Sequence, residues 1–342
     1  MSKPDIKDLA LQALAETVAG LGEKPYAAIQ TISWLYRQRA ASFEEMTNLA
    51  QKVRQRLAQT FSIGRLTLEE ERRSADGSRK FLFKLNDGQK IESVLMPHKN
   101  RLTLCVSSQV GCAMGCKFCR TASMGLVRHL TQGEILEQVL AAQRALEPGQ
   151  KITNIVFMGM GEPLHNYDNV ISSLKILRHP KGFGFGKKQI TVSTSGLAKA
   201  IEKFGEDADV KLALSLNAAS DPFRDEIMPV NKRYPLERLG RACRHYNDLT
   251  RQAITMEYVM FAGLNDRPED VKQLCRFLSN LKAKINLIPY NEYPGSPYRR
   301  PTEAAVRRFH KSLADRHFQV NIRYSKGLDI LGACGQLATG PV

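Results

Sequence analysis

The chain has 342 residues, 43% hydrophobic and 25% charged, the balance of a folded globular protein rather than a disordered or fibrous one. Lys and Arg number 50 against 34 Asp and Glu, a net charge of +16, and such an excess points to a polyanionic partner, nucleic acid before membrane lipid. Seven cysteines, no secretory segment after Met1 and no apolar run long enough to cross a bilayer set the expectation of a cytoplasmic protein without a disulfide framework or membrane contact.

Residues 5–61 read as helices. Leu11, Leu14, Val18 and Leu21 keep helical spacing, and Gly20 and Gly22 end that segment. Pro25 opens a second helix with Ile29, Ile32 and Tyr36 on one face. Leu49, Val53 and Leu57 mark a third, whose outer face carries Lys52, Arg54 and Arg56. A small bundle with basic side chains is a nucleic-acid-binding format and equally an ordinary solvated surface. From about residue 64 the period changes. Stretches 65–68, 80–85 and 90–95 alternate, and Asp76-Gly77 and Asp87-Gly88 at the breaks predict a β-meander. Glu92 lies there in an apolar run and, by alternation alone, points to solvent.

Next comes CVSSQVGCAMGCKFC, with Cys112, Cys116 and Cys119 spaced Cys-x-x-x-Cys-x-x-Cys and Cys105 upstream. Three thiolates this close suit three irons of a four-iron cluster, leaving the fourth iron open to a substrate or cofactor. Plain core packing is a second reading, which the interleaved Gly111 and Gly115 make hard to sustain. A structural zinc site is a third, but it takes four ligands, usually as two separated pairs, and no second pair follows.

After Cys119, strands and helices alternate. A helix carries Ile135, Val139, Ala142 and Leu146, and strands are predicted over 152–158, 189–193, 210–216, 254–259 and 285–289. This is the pattern of an α/β fold with parallel strands, whose chemistry lies at the strands' C-terminal ends. Those ends are polar: Met158-Gly159-Met160-Gly161-Glu162-Pro163, Ser193-Thr194-Ser195-Gly196, Ser215-Leu216-Asn217 and Pro289-Tyr290-Asn291. The glycines of the first are expected to let backbone approach a ligand closely. Together these ends suit a polar ligand with amino-acid-like and nucleoside-like parts. Cys334 stands between small residues and is expected to be accessible, whereas Cys243 and Cys275, within helical stretches, are expected in the core.

The string CVSSQVGC-x-x-GC-x-FC, followed by FMGMGEPL, STSG, DEIMPVN, NLIPYN and DI-x-x-ACGQL, resembles the RlmN/Cfr family of RNA adenine methyltransferases, which are radical S-adenosylmethionine enzymes. The likeness runs from about residue 25 to residue 338. It implies a partial (βα)6 barrel over residues 101–342, preceded by a helical RNA-binding accessory unit (1–62) and the β-meander (63–100). Cys112, Cys116 and Cys119 would ligate a [4Fe–4S] cluster. Gly161, Glu162, Ser193, Ser215, Asn217 and Asn291 fall on the family's S-adenosylmethionine-binding positions. Cys334 corresponds to a transiently methylated cysteine, Cys105 to its resolving partner, which forms a transient disulfide with it, and Glu92 to a proton acceptor, in place of the solvent reading. The family's radical route has a chemical reason, since the amidine carbon of adenine is electron-poor and cannot itself attack an electrophilic methyl group.

The implied substrate is carbon 2 of an adenosine in the peptidyl-transferase centre of 23S rRNA, and with it the tRNA adenosine next to the anticodon. Pro163 and its surroundings favour that branch over carbon 8 methylation, the Cfr-like resistance activity. The resemblance also implies an external one-electron donor such as flavodoxin and a monomeric enzyme. A non-enzymatic RNA-binding protein with a structural metal is the alternative from another class. The chain departs from the family pattern at Arg120-Thr121-Ala122, where relatives carry Ala-Thr-Gly, and at Asn217, where most have histidine.

Overall fold

The computed structural model describes residues 3–339. At the N-terminus, helices α1 (Leu11–Gly20), α2 (Pro25–Ile32) and α3 (Gln51–Thr60) form the expected bundle around Leu14, Val18, Ile32, Tyr36, Val53 and Leu57. Ile29 departs from its predicted face and is 44% exposed. The inward face of α2 is instead made by Ala27, Ala28, Thr31 and Ile32, which turns Ile29 outward, and the helix then runs into a π-helical turn over Ser33–Gln38. A π turn adds a residue per turn and rotates the following side chains relative to an α-helical face. Lys52 and Arg56 are exposed as expected, whereas Arg54 is half-buried and donates to the Glu44 carbonyl at 2.7 Å.

Four strands follow as an antiparallel run, β1 (Thr67–Arg73), β2 (Arg79–Lys84), β3 (Lys90–His98) and β4 (Arg101–Cys105). Six more continue the same sheet from β4, all parallel: β7 (Asn154–Phe157), β8 (Ile190–Thr194), β9 (Lys211–Ser215), β10 (Ile254–Met260), β11 (Ala283–Pro289) and β12 (Val320–Ile322). The meander is thus the edge of one ten-stranded sheet. Crossovers are made by α5 (Gln132–Arg144), α6 (Tyr167–Arg178), α7 (Ala198–Asp207), α9 (Leu236–Thr250), α10 (Pro268–Leu278) and α11 (Glu303–Ala314). Six strand–helix units ending in β12 make the predicted partial barrel, and parallel strands require such crossovers. Two short helices, α4 (Arg120–Ser123) and α8 (Asp221–Ile227), and a small hairpin of β5 (Gln109–Gly111) and β6 (Leu126–His129) complete the α/β fold.

Two features position the site. The N-terminal bundle is fixed to the start of α5: Gln132 Nε2 donates to the Lys7 and Leu9 carbonyls at 2.7 and 2.9 Å, Asp8 accepts from the Gly133 amide at 2.9 Å, and buried Lys7 pairs with Glu137. At the other end, the chain after β12 folds back across the open side of the sheet. There Asp76 accepts from the Gly327 amide at 2.9 Å, Asp329 from Ser74 Oγ and the Ala75 amide at 2.5 and 3.0 Å, and Glu92 from the Ala338 amide at 3.0 Å. The tail thereby ties the last strand to the meander and brings Cys334 over the barrel mouth.

Candidate active site

A cavity of about 960 Å³ lies at the C-terminal ends of the parallel strands. Cys112, Cys116 and Cys119 line it from the loop between β5 and α4. Gly161 and Glu162 enter after β7, Ser193 from β8, Ser215 and Asn217 from the end of β9, Asn291 after β11, and Cys334 from the tail. Gly161, Glu162, Ser193, Ser215, Asn217 and Asn291 meet because each lies at or just after the end of a strand of the same parallel sheet, and the cysteine loop and the tail reach the same place from outside those strands. Glu92 and Cys105 do not line this cavity. Cys105 instead opens with Cys334, Met158 and Arg323 onto an adjoining cavity of about 460 Å³. Cys334, Arg323 and Met158 face both.

Cys112, Cys116 and Cys119 line one wall of this cavity together, and three neighbouring thiols suit an iron–sulfur cluster. One thiol per iron is the donor set of a multi-iron centre. Burial pushes the Cys112 thiol up to about 12 and raises Cys116 well above its ordinary value, so the apoprotein holds them neutral and a cationic centre would draw off their protons. The rest of the cavity suits a polar ligand. Ser195 Oγ, Glu257 Oε2 and Asn291 Oδ1 all line it, are buried, and have no hydrogen-bond partner in the protein. Buried polar atoms are rarely left unpaired, so three around one cavity mark where a polar molecule supplies the bonds.

Several expected contacts are organised differently from the sequence expectation. Gly159 and Gly161 make room for the protein's own backbone, not only for a ligand. A Cβ on Gly159 would come within 2.7 Å of Ser107 Oγ and the Val106 carbonyl, and one on Gly161, at φ 100°, within 2.6 Å of Gln109 Cβ. The Glu162 carboxylate accepts from the Leu164 amide at 3.0 Å and the Ser195 amide at 2.7 Å, which locks the turns after β7 and β8 together; burial nevertheless raises its pKa. Asn217 takes the left-handed conformation, φ 58°, that asparagine tolerates better than most residues. Its Oδ1 accepts from the Val259 amide at 3.0 Å, so the side chain braces β9 against β10.

Glu92 is 4% exposed, so its expected solvent exposure is overturned. One face of β3 packs inward and the tail covers the other. Its Oε1 pairs with Lys80 Nζ at 2.8 Å and its Oε2 takes the Ala338 amide. Burial raises its pKa, and Lys80 opposes that rise. Cys105 is buried on β4, and burial, reinforced by Cys334, pushes its thiol up to about 12. Cys334 is half-buried, and burial raises it against the pull of Arg323. Cys243 is buried as expected. Cys275 is only partly buried, because α10 turns that residue toward its solvent edge.

Three residues were not singled out from the sequence. Arg224, fully buried, donates to the Ser195 carbonyl at 2.7 Å, the Leu216 carbonyl at 3.0 Å and Asn231 Oδ1 at 2.8 Å, clamping the ends of β8 and β9. Glu257 is buried in β10, where a carboxylate within ITMEYVM was a visible anomaly. Arg323 follows β12 with its Nη1 3.5 Å from Glu257 Oε1. Burial pulls the Arg323 pKa down, yet the facing Cys334, Glu257 and Cys105 leave it raised. Nothing in the sequence separated this arginine from the chain's many others.

Comparison with known proteins agrees with this geometry. Residues 106–278 match the Radical SAM superfamily, and residues 4–63 match the ribosomal RNA large subunit methyltransferase N-terminal domain. The chain is 50% identical to the dual-specificity RNA methyltransferase RlmN of Geotalea uraniireducens, across 98% of this chain and 97% of that protein. It is likewise 50% identical to RlmN of Geobacter sulfurreducens, across 97% and 91%. A crystal structure of a radical SAM methyltransferase from Sphaerobacter thermophilus superposes with a TM-score of 0.91 at 44% identity, covering 98% of this chain and 99% of that one. Near full-length identity of this order, with both domain matches in place, shows that the chain belongs to the RlmN family of radical S-adenosylmethionine RNA methyltransferases.

Proposed function

We propose that this protein methylates carbon 2 of an adenosine in 23S rRNA and in tRNA, with Cys334 carrying the methyl carbon and Cys105 releasing the product. One observation carries this reading: two thiols from opposite ends of the catalytic unit open onto a cavity that adjoins the three-cysteine cavity and shares Cys334 with it. The family's [4Fe–4S] cluster and S-adenosylmethionine supply, when bound, the methyl group and the one-electron chemistry.

The chain's own residues do the rest. Cys112, Cys116 and Cys119 hold the cluster, and Gly161, Glu162, Ser193, Ser215, Asn217 and Asn291 shape the cofactor's pocket. The unpaired Ser195 Oγ, Glu257 Oε2 and Asn291 Oδ1 offer it polar contacts. Cys334 must lose its proton to accept a methyl group, and the Arg323 guanidinium facing it favours the thiolate. With that one-electron chemistry supplied, the Cys334 methyl carbon would give up one hydrogen atom and bond to the base; Glu92 takes the ring proton, and the one electron left over would return to the cluster. Cys105 then attacks the Cys334 sulfur and a Cys105–Cys334 disulfide forms; the sulfur–carbon bond breaks, its electron pair passes to the departing carbon, and a proton completes the methyl group. Both Glu92 oxygens are engaged in this conformation, so its contact with Ala338 opens when the base is seated.

In the same reading, residues 1–62 are an RNA-binding accessory unit, and the enzyme is a cytoplasmic monomer supplied with electrons by an external donor such as flavodoxin. No helix among the described residues is long and apolar enough to cross a membrane. Mass spectrometry of nucleosides from rRNA and tRNA treated with the reconstituted enzyme tests the assignment. 2-Methyladenosine in both RNAs is expected; 8-methyladenosine, or no methylated adenosine, contradicts it.

A further inference from the structure

A separate cavity of about 1180 Å³ lies where the N-terminal bundle meets the barrel. Lys151 and Ile152 enter it just before β7, and residues 180–185 before β8. It therefore sits at the N-terminal ends of the strands whose other ends carry Glu162 and Ser195. Its floor is apolar and aromatic. Phe183 stacks on Phe185 at 6.2 Å between ring centroids and meets Tyr36 at 5.5 Å, and it remains half-buried. The wall carries Arg37, Arg39 and Lys151, all exposed, and no carboxylate side chain lines the cavity. Arg39 ends the π-helical turn in the left-handed conformation, φ 61°, which a glycine would adopt without strain. Its backbone position therefore does not account for an arginine.

We propose that this cavity binds a nucleotide of the substrate RNA remote from the target adenosine, with phosphate against Arg37, Arg39 and Lys151 and a base against Phe183. The inference rests on the RNA methyltransferase reading and extends it to a contact on the far side of the barrel. Guanidinium groups match phosphate oxygens in pairs, and a half-exposed phenyl ring offers a stacking face to any base. A negatively charged electron-donor protein is the competing occupant of a basic surface. It is disfavoured by position, because the strands between this cavity and the cysteine loop put on the order of 15 Å of barrel between donor and cluster at about 3.3 Å per residue. A concave, ring-floored cavity is also the wrong shape for a protein face.

The test uses the full-length reconstituted enzyme, a 23S rRNA fragment containing the target and a tRNA. An Arg37→Ala/Arg39→Ala/Lys151→Ala variant is expected to raise KM for RNA about tenfold or more with kcat nearly unchanged. It should also lower the magnitude of the log Kd against log salt slope by about 2 to 3. Phe183→Leu, which leaves an apolar side chain against Tyr36 and Phe185 but removes the ring, should weaken RNA at least about fivefold without changing that slope. S-Adenosylmethionine cleavage driven by dithionite should not change in either variant. Unchanged RNA affinity and salt slope would overturn the inference. So would a triple variant that loses activity only with a protein reductant, since that result assigns the surface to the electron donor. Failure of the wild-type enzyme to methylate any RNA would instead strike the underlying reading.

Discussion

Cys105 and Cys334 open onto the same cavity although one ends β4 and the other lies in the tail beyond β12. The tail brings them together by folding across the open side of the sheet, held by Asp76, Asp329 and Glu92. Closure of the barrel and assembly of the thiol pair are thus one structural event. Breaking the anchor should separate them. Asp329→Ala removes two hydrogen bonds at an exposed site and is expected to slow methylation about tenfold with little loss of bound iron. Measuring both in one preparation checks this.

The cluster ligands and the methyl-carrying cysteine do different jobs and should separate cleanly. Cys112→Ala, Cys116→Ala and Cys119→Ala should each abolish the brown colour, the iron content and S-adenosylmethionine cleavage. Cys334→Ser should keep the colour and the iron and cleave S-adenosylmethionine, yet transfer no methyl group to RNA. Iron analysis and deoxyadenosine release give the two readouts.

Glu92 should set the acidic limb of the pH–rate profile. Its pKa is raised by burial and restrained by Lys80 and, more weakly, Arg120. A base works only when deprotonated, so single-turnover methylation should fall as pH drops through a value above the ordinary carboxylate range. Lys80→Met removes the nearer cation, raises that pKa further and moves the limb to higher pH. Glu92→Gln should lower the plateau rate above that limb about a hundredfold or more and remove the limb itself, so the gap from wild type narrows at low pH. A limb that stays in place in Lys80→Met contradicts the role given to Glu92.

Arg224 is a structural clamp whose loss should appear in stability before chemistry. Arg224→Met keeps most of the volume but leaves the Ser195 and Leu216 carbonyls and Asn231 without their donor. Stranding buried acceptors of this kind costs about 2–4 kcal/mol. The denaturation midpoint should fall accordingly, and affinity for S-adenosylmethionine should weaken with it, because Ser195 lines the cofactor's cavity.

Much of this architecture was legible in the sequence, because hydrophobic period and polar strand ends are local signals. The five strands predicted after Cys119 correspond to β7 to β11, and the cavity forms where their polar ends suggested. Other features depended on distant packing. Alternation put Glu92 toward solvent, but the tail that buries it lies more than two hundred residues away. The β5–β6 hairpin was missed because the whole cysteine loop separates its strands, leaving no short turn to read. At three residues, β12 is too short to show a period. Arg224 and Arg323 looked like any other basic residues until the fold buried one and set the other beside two thiols.

The most direct test of the central claim is to block the final step. Cys105→Ala enzyme, reconstituted anaerobically and incubated with S-adenosylmethionine, reductant and RNA, lacks the thiol that attacks the Cys334 sulfur. Denaturing gel electrophoresis with labelled RNA, followed by mass spectrometry of the nuclease- and protease-digested band, should show adenosine joined through one carbon to the peptide containing Cys334. Free 2-methyladenosine released at the wild-type rate, with no covalent complex, would contradict the account.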